Sequence, residues 1–242
     1  MHLVTTIRFI LISSMLFFLE ISTLSASGVG INATRIIFPQ GSQSIPVTLR
    51  NSTEKDEYLV QIYVTKTAKS STQESYFDVL PPMFYLAANK QRDVRLVETT
   101  KSMALPKDRE SVFYLHARAI AGSEKNIGQD ALQMKGEVKI AIENVIKVFY
   151  RPEGLTQTSD KAQASLNFSE TTNGIKVSNP TPYYITLSSL KVGGRAISLS
   201  PDANNTMLAP FSEMLYSTSV KKGKITWSTI NDLGGNSEYS KP

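Results

Sequence analysis

The chain has 242 residues, no cysteine, a formal net charge of +5 and only two histidines, His2 and His116. Apolar residues make up 41% and charged residues 19%, a balance that excludes disorder and allows one or two folded domains. The missing thiols exclude a cysteine nucleophile, a disulfide framework and thiolate zinc sites, and scarce imidazole excludes multi-histidine metal clusters and, unless His116 serves, a Ser-His-Asp triad.

Residues 1–26 read as a signal peptide. Arg8 supplies the positive charge, residues 9–19 (FILISSMLFFL) the apolar stretch, and Ser25-Ala26-Ser27 the small residues for cleavage. The apolar stretch is shorter than a membrane span requires, and no later segment is long and apolar enough. Arg8 and Glu20 would leave together, so the positive balance survives removal of the leader. The remaining cations are scattered apart from Lys221, Lys222 and Lys224, without the spacing of a finger or recognition helix, so nucleic acid is not an expected partner.

The mature chain reads as strands separated by turns. Residues 34–38 (TRIIF) precede a Pro39-Gln40-Gly41 turn, and Ile45, Val47 and Leu49 then alternate with Pro46, Thr48 and Arg50. Residues 58–64 form the next strand. Leu80-Pro81-Pro82 must break extended structure, because proline cannot donate to a ladder. Strands follow at 94–97 and 111–120, the second with Phe113, Leu115, Ala117 and Ala119 opposite Val112, Tyr114, His116, Arg118 and Ile120.

The run from 138 to 148 is the longest, at about 33 Å for an extended chain. Val138, Ile140, Ile142, Ile146 and Val148 share one side, interrupted by Asn144, while Lys139, Glu143, Lys147 and Phe149 take the other. The apolar side is either the core face of a central strand or, in its outer part, an exposed edge prone to pair with other chains. Arg151-Pro152-Glu153-Gly154 ends the run, and the polar stretch 153–160 reads as a linker. Short strand candidates follow at 164–168, 174–178, 183–190, 196–199, 214–217 and 224–227, with Asn-Pro, Gly-Gly and Ser-Pro signals among them. The expectation is all-β, with two sandwich domains at 27–153 and 158–242.

No Walker loop, dinucleotide fingerprint, HExxH or GxSxG occurs, so no catalytic residue, metal ligand or cofactor site is nominated. His116 reads as a structural, partly exposed histidine, and the lone Trp227 as a core or interface aromatic. Arg35 and Lys147 stand inside apolar strands. They are either solvent-facing cations or two donors that bind one carboxylate, for which a chain terminus would suit.

Several strings occur in order: Thr34-Arg35-Ile36-Ile37-Phe38, Leu105-Pro106 with Asp108-Arg109-Glu110-Ser111, and Ile146-Lys147-Val148-Phe149-Tyr150-Arg151-Pro152. Asn179-Pro180-Thr181-Pro182-Tyr183-Tyr184 and Ile230-Asn231-Asp232-Leu233-Gly234-Gly235 complete the series. On these the chain resembles the PapD-like periplasmic chaperones of the chaperone–usher pathway, which assemble pili and related fibres. The resemblance implies two immunoglobulin-like β-sandwich domains in a boomerang, with a fibre subunit held in and near the cleft. Arg35 and Lys147 would anchor the subunit's C-terminal carboxylate. The strand before Lys147 would be donated to the subunit, with Val138, Ile140, Ile142 and Ile146 as plugs for its groove. Glu110, Arg151 and Asp232 would form an interdomain ion-pair network.

The same resemblance implies an ATP-independent, non-enzymatic protein without cofactor, exported to the periplasm, that hands subunits to an outer-membrane usher. A free donor edge would also permit self-association. The long segment 119–146 points to the long-loop subgroup, whereas the absent disulfides and Leu233, where tyrosine is common, depart from the pattern. The competing reading is a secreted two-domain carbohydrate-binding or adhesion protein, which needs an exposed aromatic platform. A polysaccharide-active enzyme would need two correctly separated cleft carboxylates.

Overall fold

The computed structural model describes residues 28–73, 76–122 and 140–242. The expected leader and Val138 therefore lie outside the described residues, as does most of the long segment that suggested a subgroup.

Residues 28–151 build a sandwich of two sheets. One has the order β1 (Val29–Ile31), β3 (Ser44–Asn51), β7 (Gln91–Glu98) and β5 (Phe77–Leu80). The other runs β2 (Arg35–Pro39), β9 (Ala141–Arg151), β8 (Ser111–Ala121), β4 (Tyr58–Thr65) and β6 (Met83–Leu86). Period-two alternation explains the packing: Phe113, Leu115, Ala117 and Ala119 of β8 are all buried, facing Leu49, Phe77 and Leu96 of the opposite sheet. Phe77 lies edge-on to both Phe38 and Phe113, at 5.0 and 5.2 Å between ring centroids. Pro81 and Pro82 separate β5 in one sheet from β6 in the other, so the anticipated break is a change of sheet.

The pairing of β9 is uneven along its length. It runs antiparallel to β8 from Ala141 to Tyr150, but parallel to β2 only from Lys147 to Arg151. Among the described residues, 141–146 thus have one strand neighbour and an open side. The even-numbered face changes environment at this point. Val148 and Tyr150 are buried, while Ile142 and Ile140 are 45% and 70% exposed. Ile146 differs from its expected place, since it is half-buried and packs on its own domain's core rather than standing free.

The second domain pairs a three-stranded sheet with a larger one. The first is β10 (Asn167–Thr171), β11 (Gly174–Ser178) and β15 (Glu213–Ser217). The second is β13 (Arg195–Ala196), β12 (Ile185–Val192), β16 (Ile225–Ile230) and β17 (Asn236–Lys241), with β14 (Met207–Leu208) also paired to β12. A short helix, α1 (Ser159–Ala164), occupies the stretch read as the end of a polar linker, and it pushes β10 later than expected. Buried Gln163 of α1 accepts from Trp227 Nε1 through its carbonyl at 3.1 Å and from Thr229 through its side chain. β17 is a polar edge strand with no alternating apolar signal, and it follows the last strand expected from the sequence. No disulfide links either domain, because the chain has no cysteine; Leu166, Ile175, Val177, Ile185 and Leu208 form the second core.

Candidate functional site

The two domains meet around the end of β9, where Arg151 bridges them. Its Nε donates to Glu110 Oε1 at 2.8 Å, and its Nη1 and Nη2 donate to the Asp232 carboxylate at 2.7 and 2.9 Å. Glu110 is 3% exposed, and its other oxygen accepts from the Tyr184 backbone N–H at 2.8 Å. Its own backbone N–H donates to the Pro182 carbonyl at 2.9 Å, so this residue belongs to both domains. Asp232 also accepts from Ser159 Oγ at 3.1 Å. Burial pushes the Glu110 carboxyl above the ordinary range against the pull of Arg151. Asp232 is also disfavoured by burial, but hydrogen bonds and charge from Arg151 outweigh this and hold it below the ordinary range. The three residues named from the sequence thus form one bidentate and one single charge-assisted contact.

Arg35 and Lys147 are brought side by side by the parallel β2–β9 pairing, in which they are direct register partners. Arg35 reaches across the interface, donating Nη1 to the Ile230 carbonyl at 2.9 Å, with its guanidinium 5.4 Å above the Phe149 ring. Its Nε is buried without a hydrogen-bond partner. Lys147 is half-buried, and no acidic group among the described residues supports its charge. Burial lowers the pKa of both, and the charge of Arg35 lowers Lys147 further. Two adjacent, partly desolvated cations with spare donors are chemically suited to an anion such as a bridging carboxylate.

The β16–β17 turn closes one side of this place. Gly234 takes a left-handed φ of +84° and lies so close to Thr34 that any Cβ would overlap the threonine hydroxyl. Asn231 organises the turn by accepting from the Leu233 and Gly235 N–H groups at 3.2 and 2.9 Å. Leu233 at its tip is 97% exposed, beside the clamped Asp232. Phe149 and Tyr184 meet across the interface as tilted rings with centroids 5.8 Å apart. Among the described residues the open side of β9 begins directly upstream of Lys147, so Lys147 of the cation pair and the exposed Ile140–Ile142 stretch lie along one strand, their side chains on opposite faces.

Sequence reasoning missed a second cluster on the outer face of the same sheet. Tyr63 donates its hydroxyl to Glu143 at 2.9 Å, and Arg118 contacts both. His116 is 1% exposed rather than partly exposed, stacked on Tyr63 with centroids 4.9 Å apart. Thr65 Oγ1 spends its one proton on the Thr67 carbonyl at 2.7 Å and contacts His116 Nε2 at 2.8 Å. The histidine must therefore donate from Nε2, leaving Nδ1 bare, 3.6 Å from Glu143. The alternating polar–apolar pattern of β8 was the available signal, but it marks a face and not which polar groups meet there. Trp227 is 2% exposed, so the lone indole is not an exposed stacking platform. Among the described residues, no group of three or more His, Asp or Glu side chains could hold a metal.

Comparison with known proteins covers nearly the whole described chain. Residues 28–156 match the family described as pili and flagellar-assembly chaperone, PapD N-terminal domain, and residues 161–241 match pili assembly chaperone PapD, C-terminal domain. The chain is 32% identical over 220 residues to the chaperone protein FocC of Escherichia coli, covering 90% of each chain. It is 32% identical over 232 residues to FimC of Escherichia coli strain K12, covering 94% of this chain and 90% of FimC. Among solved structures it superposes on the periplasmic chaperone SfaE with a TM-score of 0.69 at 30% identity, covering 88% of this chain and 99% of that one. The match to the Salmonella enterica SafA pilin in complex with the SafB chaperone has a TM-score of 0.71 at 29% identity, covering 89% and 96%.

Proposed function

Because this chain belongs to the PapD-like family of pilus-assembly chaperones, with two immunoglobulin-like domains in the boomerang arrangement, we propose that it captures a fibre subunit by lending it the outer half of β9. The observation that carries this reading is the continuity of three features on one strand. Among the described residues, an open backbone edge at 141–146 leads from the exposed Ile140 and Ile142 directly into the Arg35–Lys147 pair.

Each feature matches a different part of an incomplete, strand-lacking immunoglobulin-like partner. The open edge of β9 supplies backbone donors and acceptors for a new ladder, each bond contributing about 0.5–1.5 kcal/mol net. Ile140 and Ile142 leave water for the subunit's groove, each contributing about 1.5–3 kcal/mol if fully buried. Val138, further upstream, would extend this series, whereas Ile146 is engaged by its own core and would contribute little. The subunit's terminal carboxylate would dock on Arg35 and Lys147 through charge-assisted hydrogen bonds of about 1.5–3 kcal/mol each. The carboxylate sets register, because Lys147 stands at a fixed count from each plug. The Glu110–Arg151–Asp232 bridge fixes the angle at which the second domain presents Ile230 to Arg35.

The mechanism is non-enzymatic and needs no nucleotide. Membership of the family supports work in the periplasm, to which the expected leader would export the chain and where the capped subunit would pass to an outer-membrane usher. Exchange there would replace β9 by a better-fitting subunit strand. In the free protein the same edge would support self-association.

Co-expression with a candidate fibre subunit, followed by co-purification, tests the reading. Arg35→Ala and Lys147→Ala should each abolish the complex while leaving the far-UV circular dichroism of the free chain unchanged. An undiminished complex in both variants would remove the anchor role.

A further inference from the structure

Glu143 and Asn144 belong to neither the cation pair nor the exposed isoleucines, yet they hold the outer half of β9 from both faces of its sheet. On the outer face, Glu143 accepts from the Tyr63 hydroxyl of β4 at 2.9 Å and from Arg118 Nε of β8 at 3.2 Å. Arg118 Nη2 donates in turn to the Tyr63 hydroxyl at 3.2 Å, closing a three-residue ring. On the inner face, Asn144 donates Nδ2 to the Val29 carbonyl at 2.8 Å. Val29 belongs to β1, an edge strand of the opposite sheet. Its carbonyl is available because the neighbouring Gly28 carbonyl already accepts from the Ser52 N–H just past the end of β3, and alternation turns that of Val29 outward.

The location of this double hold is informative. The inner face passes from the domain's own core at Ile146 to open solvent at Ile142, and Asn144 lies between them. An apolar residue there would simply lengthen the hydrophobic series. The amide interrupts it and ties the two sheets together where the sandwich opens. Upstream of Lys147 the strand has no second neighbour among the described residues, and an edge supported by one ladder frays readily.

We propose that Glu143 and Asn144 are positioning residues that keep the outer half of β9 extended and in register before any subunit arrives. This rests on the donor-strand reading of β9. Binding to a strand already held in place avoids the ordering penalty that a frayed segment would pay at encounter. The apolar interruption that looks like a defect in the donor series is thereby the device that fixes the strand.

Hydrogen–deuterium exchange on the free full chain tests this. Asn144→Val and Glu143→Ala should each accelerate exchange of the protected amides in 141–146 by about tenfold, with 147–151 and β16 unchanged. Glu143→Gln keeps an acceptor for Tyr63 and should stay within about twofold of the parent protein. Parental exchange across 141–146 in the Glu143→Ala, Asn144→Val double variant would overturn the proposal. So would acceleration spread evenly through β8 and β9, which marks a merely structural role. The measurement involves no subunit, so its failure leaves the donor-strand reading standing. Conversely, a subunit complex that survives charges at Ile140 and Ile142 would remove that reading without touching the exchange result.

Discussion

Replacing Arg151 by alanine removes the guanidinium that joins the domains and leaves Glu110 buried with one remaining donor, the Tyr184 N–H. Breaking a buried pair by deleting one partner typically costs about 3–5 kcal/mol. The Asp232 half is more exposed and adds about 0–1 kcal/mol. The expected loss is therefore about 3 kcal/mol or more at neutral pH, and it should shrink in acid for two reasons of opposite sign. Glu110 has its folded pKa raised, so its protonation favours the fold below the ordinary glutamate range, a contribution lost as pH rises through the folded value. Without Arg151 that value rises further, and the variant recovers stability as the carboxyl takes a proton. Asp232 has its folded pKa lowered, so in the parent it stabilises above the ordinary aspartate range and this is lost as pH falls through the depressed value. The parent thus loses in acid what the variant never had.

Urea unfolding at pH 7 and pH 4.5 measures the Glu110 effect, the Asp232 loss lying at still lower pH, with Trp227 fluorescence reporting the second domain and circular dichroism the whole chain. Adding Glu110→Gln to the Arg151→Ala chain removes the buried charge, keeps an acceptor for Tyr184, and should restore at least about 1 kcal/mol at pH 7. An Arg151→Ala loss within about 0.5 kcal/mol of zero at both pH values, or no rescue by Glu110→Gln, would refute the reasoning.

Lys147→Met should stabilise the free chain by about 1 kcal/mol by removing a desolvated cation beside Arg35, while abolishing subunit capture. The folded pKa of Lys147 is lowered, so the parent's stability should rise with pH between that value and the ordinary lysine range, a slope the variant lacks; equal slopes would count against it. Ile140→Lys with Ile142→Lys should leave the urea midpoint of the free chain within about 0.5 kcal/mol of the parent, because both side chains are exposed, yet prevent co-purification of a subunit. For His116, nitrogen-detected NMR should find the neutral ring protonated at Nε2, and an Nδ1–H tautomer would contradict the Thr65 geometry. Burial lowers its pKa despite the nearby Glu143 charge, so stability should fall as pH drops from the ordinary histidine value to the depressed folded one.

Much of this architecture is legible in the chain because alternation reports burial directly. Phe113, Leu115, Ala117 and Ala119 alternate in sequence and are buried together, and the Pro81-Pro82 pair breaks the strand where one is required to break. Arg35, Lys147, Glu110, Arg151 and Asp232 were nameable because their strings resemble a family, not because spacing placed them near one another. Elements without an apolar signal escaped: β17 is polar and edge-exposed, and α1 is a six-residue helix whose buried Gln163 serves Trp227 and Thr229. His116 looked partly exposed because it shares a strand face with Tyr114 and Arg118, yet Tyr63 and Glu143 cover it from strands distant in sequence.

Composition, period and turn residues by themselves determined an all-β chain of two sandwiches with an unusually long apolar strand and no thiol chemistry. They also determined which face of that strand is apolar. Only the tertiary structure decided where the face stops being core, because that depends on β2 reaching no further than Lys147. It alone decided that Arg35 and Lys147 are neighbours, that Ile146 belongs to the domain's own core, and that Asn144 joins two sheets instead of merely interrupting a series. The reason is physical: alternation is written in adjacent residues, whereas strand partners and hydrogen bonds are set by segments far apart in the chain, whose meeting no local pattern encodes.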